Sequence, residues 1–121
     1  MRLNKIQKIA VTALEDIKAR DITVLDVRKL TSLYDAMIIA TAESSRQVKA
    51  LANHVREKLK EAGAAIIGVE GEETGEWVLV DAGEIVVHIM QPEVRAYYNL
   101  EELWGPPPAK RRLASADRAV A

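Results

Sequence analysis

The residues that could carry out catalysis are few in this chain and poorly spaced for it. It has two histidines, His54 and His88, and no cysteine, which excludes thiolate metal sites, thiol nucleophiles and disulfides. No glycine-rich phosphate loop or Gly-x-Ser-x-Gly elbow occurs in the sequence. Asp21 and Asp26 fall at opposite ends of one predicted strand, so they do not form a carboxylate pair for two-metal chemistry. We therefore predict a protein that is not an enzyme, without catalytic residues, metal or cofactor.

The segment 77–90, WVLVDAGEIVVHIM, predicts a β-hairpin folded about Ala82-Gly83. A two-residue turn there would place Asp81 opposite Glu84 and Trp77 opposite His88. Alternation then gives an aliphatic core face of Val78, Val80, Ile85, Val87 and Ile89. The other face would carry Trp77, Leu79, Asp81, Glu84, Val86, His88 and Met90.

The mixed face of this hairpin has two interpretations. In one, a helix covers most of the face and the polar groups lie at its fringe. In the other, the face is largely exposed and binds a protein, since tryptophan is enriched in binding hot spots. This register places His88 roughly 13 Å from Asp81 at about 3.3 Å per strand residue, which favours a contact residue over a general base. The facing carboxylates of Asp81 and Glu84 would need a nearby Lys or Arg.

The chain predicts an α/β layer fold with a mixed five-stranded sheet, in the order α-β-β-α-β-β-β-α. The predicted elements are a helix at about 4–19, strands at 22–27 and 36–41, a helix capped by Ser44 or Ser45 and ending at Gly63, a strand at 64–71, the two hairpin strands, and a last helical piece starting at Pro92. The buried stripe predicted for the middle helix is Val48, Leu51, Ala52, Val55 and Leu59.

A row of polar and basic residues follows the opposite face of the middle helix. It consists of Arg46, Lys49, Asn53, Arg56 and Lys60, spaced by three and four residues in turn. Such a row could track an RNA backbone, although it also fits an ordinary solvated helix face. The net charge of -1 argues against nucleic-acid binding through overall positive charge.

The 121 residues are the size of one domain, which we place at residues 1–104. The segment 105–121 starts with glycine and three prolines and contains the basic cluster Lys110-Arg111-Arg112, so it predicts a disordered tail. The N-terminus reads as an amphipathic helix rather than a signal peptide. No apolar run approaches the roughly 20 residues that span a bilayer. We expect a soluble, cytoplasmic protein.

Four stretches together resemble the Iojap family, the ribosomal silencing factors. They are DAMIIATAESSRQVKALANHV, the pair Glu70-Gly71, WVLVDAGEIVVHIM and RAYYNLEELW. The resemblance runs from about Leu3 to Trp104. The chain differs from the residues that are usual in the family at Ala36, Ala82, Glu84 and Met90.

The resemblance implies a nucleotidyltransferase-like fold without the catalytic carboxylates. It also implies binding to ribosomal protein L-fourteen on the large ribosomal subunit, which blocks the small subunit and lowers translation when nutrients are scarce. Carried over by position, Trp77, Leu79, Asp81 and His88 are the candidate contacts, whereas Tyr98, Leu100 and Trp104 are expected to pack the last helix on the sheet. The family is also associated with large-subunit maturation and with homodimers. An adaptor in subunit assembly is therefore the alternative function, while an enzyme acting on a small molecule rests on fold analogy alone.

Overall fold

The protein is described by a computed structural model that covers residues 2–104, with side chains from Lys5 to Leu103. The tail predicted at 105–121, and hence the predicted domain boundary, lie outside the described residues. The elements are α1 Arg2–Asp16, β1 Arg20–Asp26, β2 Ala36–Thr41, α2 Ser45–Glu61, β3 Gly68–Glu70, β4 Trp77–Asp81, β5 Ile85–Met90, α3 Pro92–Tyr98 and α4 Leu100–Trp104.

The strands form one five-stranded mixed sheet in the order β1-β2-β5-β4-β3, which confirms the predicted fold class. β2 pairs with β5 in parallel, and the other neighbours are antiparallel. Every residue of β2 and β5 is buried. A continuous apolar sequence is typical of strands covered on both faces, so the sheet needs a layer on each side.

Helices α1 and α2 cover the first face of the sheet, which we call the helix side. The Ser44 side chain caps α2 by accepting a hydrogen bond from the Gln47 N–H at 3.2 Å. Gly63 follows the helix with a φ of 92°, a left-handed conformation that glycine adopts without a Cβ penalty. The buried residues of α2 are the predicted Val48, Leu51, Ala52, Val55 and Leu59.

The opposite face of the sheet, which we call the hairpin side, has a smaller cluster. Its buried members are Val27, Met37, Ile39, Val86 and Met90. Tyr34 from the β1–β2 loop, Val94 of α3 and Leu100 of α4 pack against them. The last helical piece is thus two short helices rather than one, because Asn99 adopts a left-handed φ of 48° and its N–H donates to the Arg95 carbonyl.

Arg95 holds these two short helices on the sheet. Its guanidinium donates to the Asp21 carbonyl at 2.6 Å, the Thr41 hydroxyl at 2.7 Å and the Thr23 hydroxyl at 3.0 Å. It also donates twice to the Glu101 carboxylate, at 3.1 and 2.9 Å. Asp21 has a left-handed φ of 51°, where the pairing of β1 with β2 is irregular. Arg95 therefore ties α3 and α4 to both β1 and β2.

We expect Arg95→Ala to lower the free energy of unfolding by about 3 kcal/mol, because it removes several charge-assisted hydrogen bonds at a side chain that is 11% exposed. Urea denaturation would measure the change. As a control, Arg20→Ala breaks only the surface pair with Glu43, whose side chains are 57% and 56% exposed, and should cost less than about 1 kcal/mol. Equal effects of the two substitutions would contradict this role for Arg95.

Candidate functional site

The hairpin turn lies one residue later than predicted. The Ala82 N–H donates to the Ile85 carbonyl at 3.0 Å, so Gly83 and Glu84 connect the strands. Gly83 has a φ of 85°, and the Glu84 N–H donates to the Ala82 carbonyl at 3.0 Å, which forms a γ-turn centred on glycine. Asp81 also accepts from the Gly83 N–H at 3.0 Å. The turn follows the glycine because an alanine resists positive φ.

The predicted cross-strand pairs are therefore wrong by two residues. Trp77 pairs with Met90, not with His88, and Leu79 pairs with His88. Asp81 pairs with Val86, so it does not face another carboxylate. Its carboxylate accepts from the Tyr34 hydroxyl at 2.9 Å and needs no Lys or Arg.

The division of the hairpin into two faces is confirmed for the strand residues, because a shift of two residues leaves each of their side chains on its original face. The helix-side core contains Val78, Val80, Ile85, Val87 and Ile89. The hairpin side carries Trp77, Leu79, Val86 and Met90 in its apolar cluster, and cross-strand pairing puts Asp81 and His88 on the same side. Glu84 lies in the turn and is exposed.

Neither interpretation of the mixed face describes all of it. On β5, Val86, His88 and Met90 are 1%, 8% and 0% exposed. On β4, Trp77 and Leu79 are only half-buried. The layer of α3, α4 and the β1–β2 loop covers the β5 half and leaves the β4 half open.

Trp77 is held in place by a hydrogen bond and a ring contact. Its indole N–H donates to Nδ1 of His88 at 2.9 Å, and its ring packs on Tyr98 with centroids 4.8 Å apart. Burial lowers the pKa of His88 to about 4. His88 is thus neutral near pH 7, and because Nδ1 accepts, Nε2 carries the ring proton.

His88 and Asp81 are nearer than predicted but do not interact. Asp81 is level with Val86, two residues from His88, or about 7 Å along the strand. Asp81 bonds to Tyr34 and the Gly83 N–H, whereas His88 bonds to Trp77. Burial, and then the Asp81 carboxylate, raise the pKa of Tyr34. The sequence analysis did not identify Tyr34, since its partner lies 47 residues away.

Two hollows flank the Leu79–His88 pair. One, of about 260 Å³, is lined by Glu70, Gly71, Trp77, Leu79 and His88. The other, of about 220 Å³, is lined by residues that include Leu33, Tyr34, Met37, Leu79, His88 and Leu100. His88 is therefore at the floor of both hollows.

The aromatic residues of the closing helices have different roles. Tyr98 is 54% exposed and packs on Trp77. Leu100 packs on the hairpin-side cluster, as predicted. Tyr97 is 81% exposed and contacts Tyr98. The side chain of Trp104 lies outside the described residues.

The basic row on α2 is on the other side of the sheet from Trp77. Arg46, Lys49 and Lys60 are exposed, and Arg56 donates to the Asn53 side chain at 2.7 Å. The predicted site residues therefore belong to two groups, one on α2 and one on the hairpin side, and Lys49 lies where a Cβ at Gly75 would meet its Cε at 3.1 Å.

His54 and Asp26, two of the ionisable residues considered for catalysis, interact with neighbouring charged side chains. His54 bonds to Asp16 at 3.0 Å and links α2 to α1. Asp26 lies at the far end of β1 from Asp21, and Arg28 lowers its pKa to about 2. Among the described residues no group of three or more His, Cys, Asp or Glu could hold a metal ion. No described helix is both long enough and apolar enough to cross a membrane.

These features define a layered α/β protein with a half-open apolar face on its sheet. Residues 1–120 match the family described as ribosomal silencing factor during starvation, RsfS. A relative from Chromobacterium violaceum, named ribosomal silencing factor RsfS, is 63% identical over 105 residues, which are 87% of this chain and 86% of the relative. The chain therefore belongs to the RsfS family, as the four stretches indicated.

Two further comparisons agree with this family. A crystal structure of a protein from Chromobacterium violaceum matches with a TM-score of 0.85 at 61% identity, covering 89% of this chain and 91% of that one. A mouse relative is named mitochondrial assembly of ribosomal large subunit protein 1. It is 33% identical over 97 residues, which are 78% of this chain and 42% of the relative.

We expect Gly71→Ala to destabilise the protein by about 3 kcal/mol, because a left-handed backbone disfavours any Cβ. Gly71 has a φ of 91°, and a Cβ there would overlap the Trp77 carbonyl oxygen. Gly68→Ala is the matched control, since a Cβ at Gly68 meets nothing within 4 Å, and should change stability by less than about 0.5 kcal/mol. Chemical denaturation of both variants is the measurement, and similar stabilities would contradict the close approach of Gly71 to Trp77.

We expect the free energy of unfolding to fall by about 3 kcal/mol as the pH drops from about 6.5 to about 4 through the protonation of His88. The unfolded chain, with the ordinary pKa of 6.5, binds the proton in this range while the folded protein does not. Stability is therefore present above this range and lost as the pH falls through it. The His88→Phe variant should lack this component, so the difference between wild type and variant is the quantity to follow. A difference that stays constant with pH would contradict a buried neutral His88.

Proposed function

We propose that this protein binds ribosomal protein L-fourteen on the large ribosomal subunit and blocks the joining of the small subunit, which represses translation. Membership of the RsfS family supports the ribosomal role. The observation that carries the choice of surface is the half-buried Trp77, held between His88 and Tyr98 on the open β4 half of the hairpin side.

Trp77 is well suited to the centre of an interface. Its hydrogen bond to His88 and its contact with Tyr98 hold the ring in one orientation, so little side-chain entropy would be lost on binding. Large aromatic residues with such fixed positions are the usual hot spots of protein interfaces.

The proposed contact surface is narrower than the face predicted from the sequence. Trp77, Leu79 and Asp81 on β4, with Glu84 in the turn, would contact the partner directly. Val86 and Met90 lie beside them on β5 at 1% and 0% exposure and would support the surface without contacting the partner. The carboxylates of Asp81 and Glu84 favour a partner surface with positive charge. The protein would act by binding alone, without a cofactor.

Two further contacts remain proposals. The basic row of Arg46, Lys49, Arg56 and Lys60 would contact rRNA backbone, supported by its positive charge and by the exposure of three of its four members. A homodimer formed through the Trp77 face would compete with ribosome binding.

The second candidate function is an adaptor for large-subunit assembly. The name of the mouse relative, mitochondrial assembly of ribosomal large subunit protein 1, favours it. An adaptor would co-purify with immature large subunits and a third protein. A silencing factor would bind mature large subunits and lower subunit joining in a light-scattering assay.

We expect Trp77→Ala to weaken binding to isolated large subunits by about 2 kcal/mol or more, because it removes a central aromatic side chain. Co-sedimentation would measure affinity, and circular dichroism would confirm folding. Val24→Ala is the control. Val24 is 43% exposed and pairs with Ile38 of the helix-side core, so its substitution should leave binding unchanged. A folded Trp77→Ala variant with wild-type affinity would exclude this surface.

A further inference from the structure

Among the described residues, one ring nitrogen of His88 has no hydrogen-bond partner. Nδ1 accepts from the Trp77 indole at 2.9 Å, and the neutral ring therefore carries its proton on Nε2. No hydrogen bond from Nε2 is found among the described residues, although the residue is only 8% exposed. In that part of the chain no fully enclosed side-chain nitrogen or oxygen lacks a partner. Nε2 must therefore open to solvent through the hollows that His88 lines.

The surroundings of this donor are apolar on one side and acidic on the other. Leu33, Met37 and Leu100 line the hollow toward α4. On neighbouring strands, His88 pairs with Leu79, and Leu79 pairs with Glu70. The Glu70 carboxylate is therefore level with His88 across the sheet. Among the side chains that the structure describes, no lysine or arginine lines either hollow. A phosphate would meet this negative charge without a cation to balance it, whereas a neutral carbonyl oxygen would not.

We propose that the Nε2–H of His88 donates to a main-chain carbonyl oxygen of the docked protein, while an aliphatic side chain of the same segment fills the hollow between Leu79 and Leu100. This inference rests on the proposed function and names the chemistry that its surface recognises. Trp77 then has a second role, since its N–H selects the imidazole tautomer that makes Nε2 the donor.

A single buried donor gives specificity more than affinity. A segment that covers the hollow without presenting an oxygen to Nε2 would leave a desolvated N–H unpaired, which is costly in apolar surroundings. Only a segment that places a carbonyl over His88 and an aliphatic group beside it satisfies both requirements.

The tautomer is tested on the free protein. Nitrogen-15 NMR of the labelled imidazoles near pH 7 should show His88 with its proton on Nε2, and Trp77→Phe, which lacks the indole N–H, should weaken that preference. A proton on Nδ1 in the wild-type protein would overturn the proposal. This measurement does not depend on the ribosome or on any variant of His88.

The donor is tested by binding to isolated large subunits over a range of salt concentrations. His88→Phe, which keeps a ring but has no donor, should bind about tenfold or more weakly. The loss should be the same at every salt concentration, because a neutral group releases no counterions. His54→Phe is the matched control on the helix side, where His54 contacts Asp16, and should bind within about twofold of wild type.

Each outcome separates this inference from the proposed function. If wild-type protein does not bind large subunits, the proposed function fails. If it binds and folded His88→Phe binds equally well, the function stands and the donor role fails. If the variant reduces the salt dependence, His88 is charged in the complex and contacts an anion such as a phosphate, and the carbonyl assignment is wrong.

Discussion

The central pair of strands, β2 and β5, requires that both faces of the sheet be covered. All residues of these strands are buried, so each face must pack against another layer. On the helix side, the amphipathic α1 and α2 supply that layer. On the hairpin side the cover is smaller, made from the β1–β2 loop and two short helices. The unequal size of the two covers leaves β4 partly open, and this opening is the candidate binding surface.

Polar groups, rather than apolar area, position the smaller cover. Arg95 ties α3 and α4 to the backbone and hydroxyls of β1 and β2. Tyr34 reaches across the face to Asp81, and Trp77 bonds to His88. These contacts fix the edge of the opening, so the half-buried side chains at the surface are already ordered before a partner arrives. An ordered surface of this kind is consistent with the binding role proposed above.

Local pattern predicted most of the fold and part of the candidate site. The cap at Ser44, the stripe of α2 and the alternation of the hairpin each depend on neighbouring residues, so sequence spacing was sufficient for them. The hairpin register was wrong because the turn depends on the φ of Gly83 and on Asp81 accepting its N–H. The break at Asn99 was also missed, since it depends on a single left-handed residue. Arg95 and Tyr34 were not identified because their partners lie up to 74 and 47 residues away.

The amino-acid sequence by itself determined the order of the elements up to the last strand, the mixed five-stranded sheet, the family and the face to which each side chain of the hairpin strands belongs. These properties follow from periodicity and motif, which are local. Only the tertiary structure decided which half of the mixed face is open, which nitrogen of His88 has no partner among the described residues, and that the basic row lies on the helix that covers the other face of the sheet. Those properties depend on how much of the sheet a layer can cover and on hydrogen bonds between distant segments. The spacing of residues along the chain does not predict either of them.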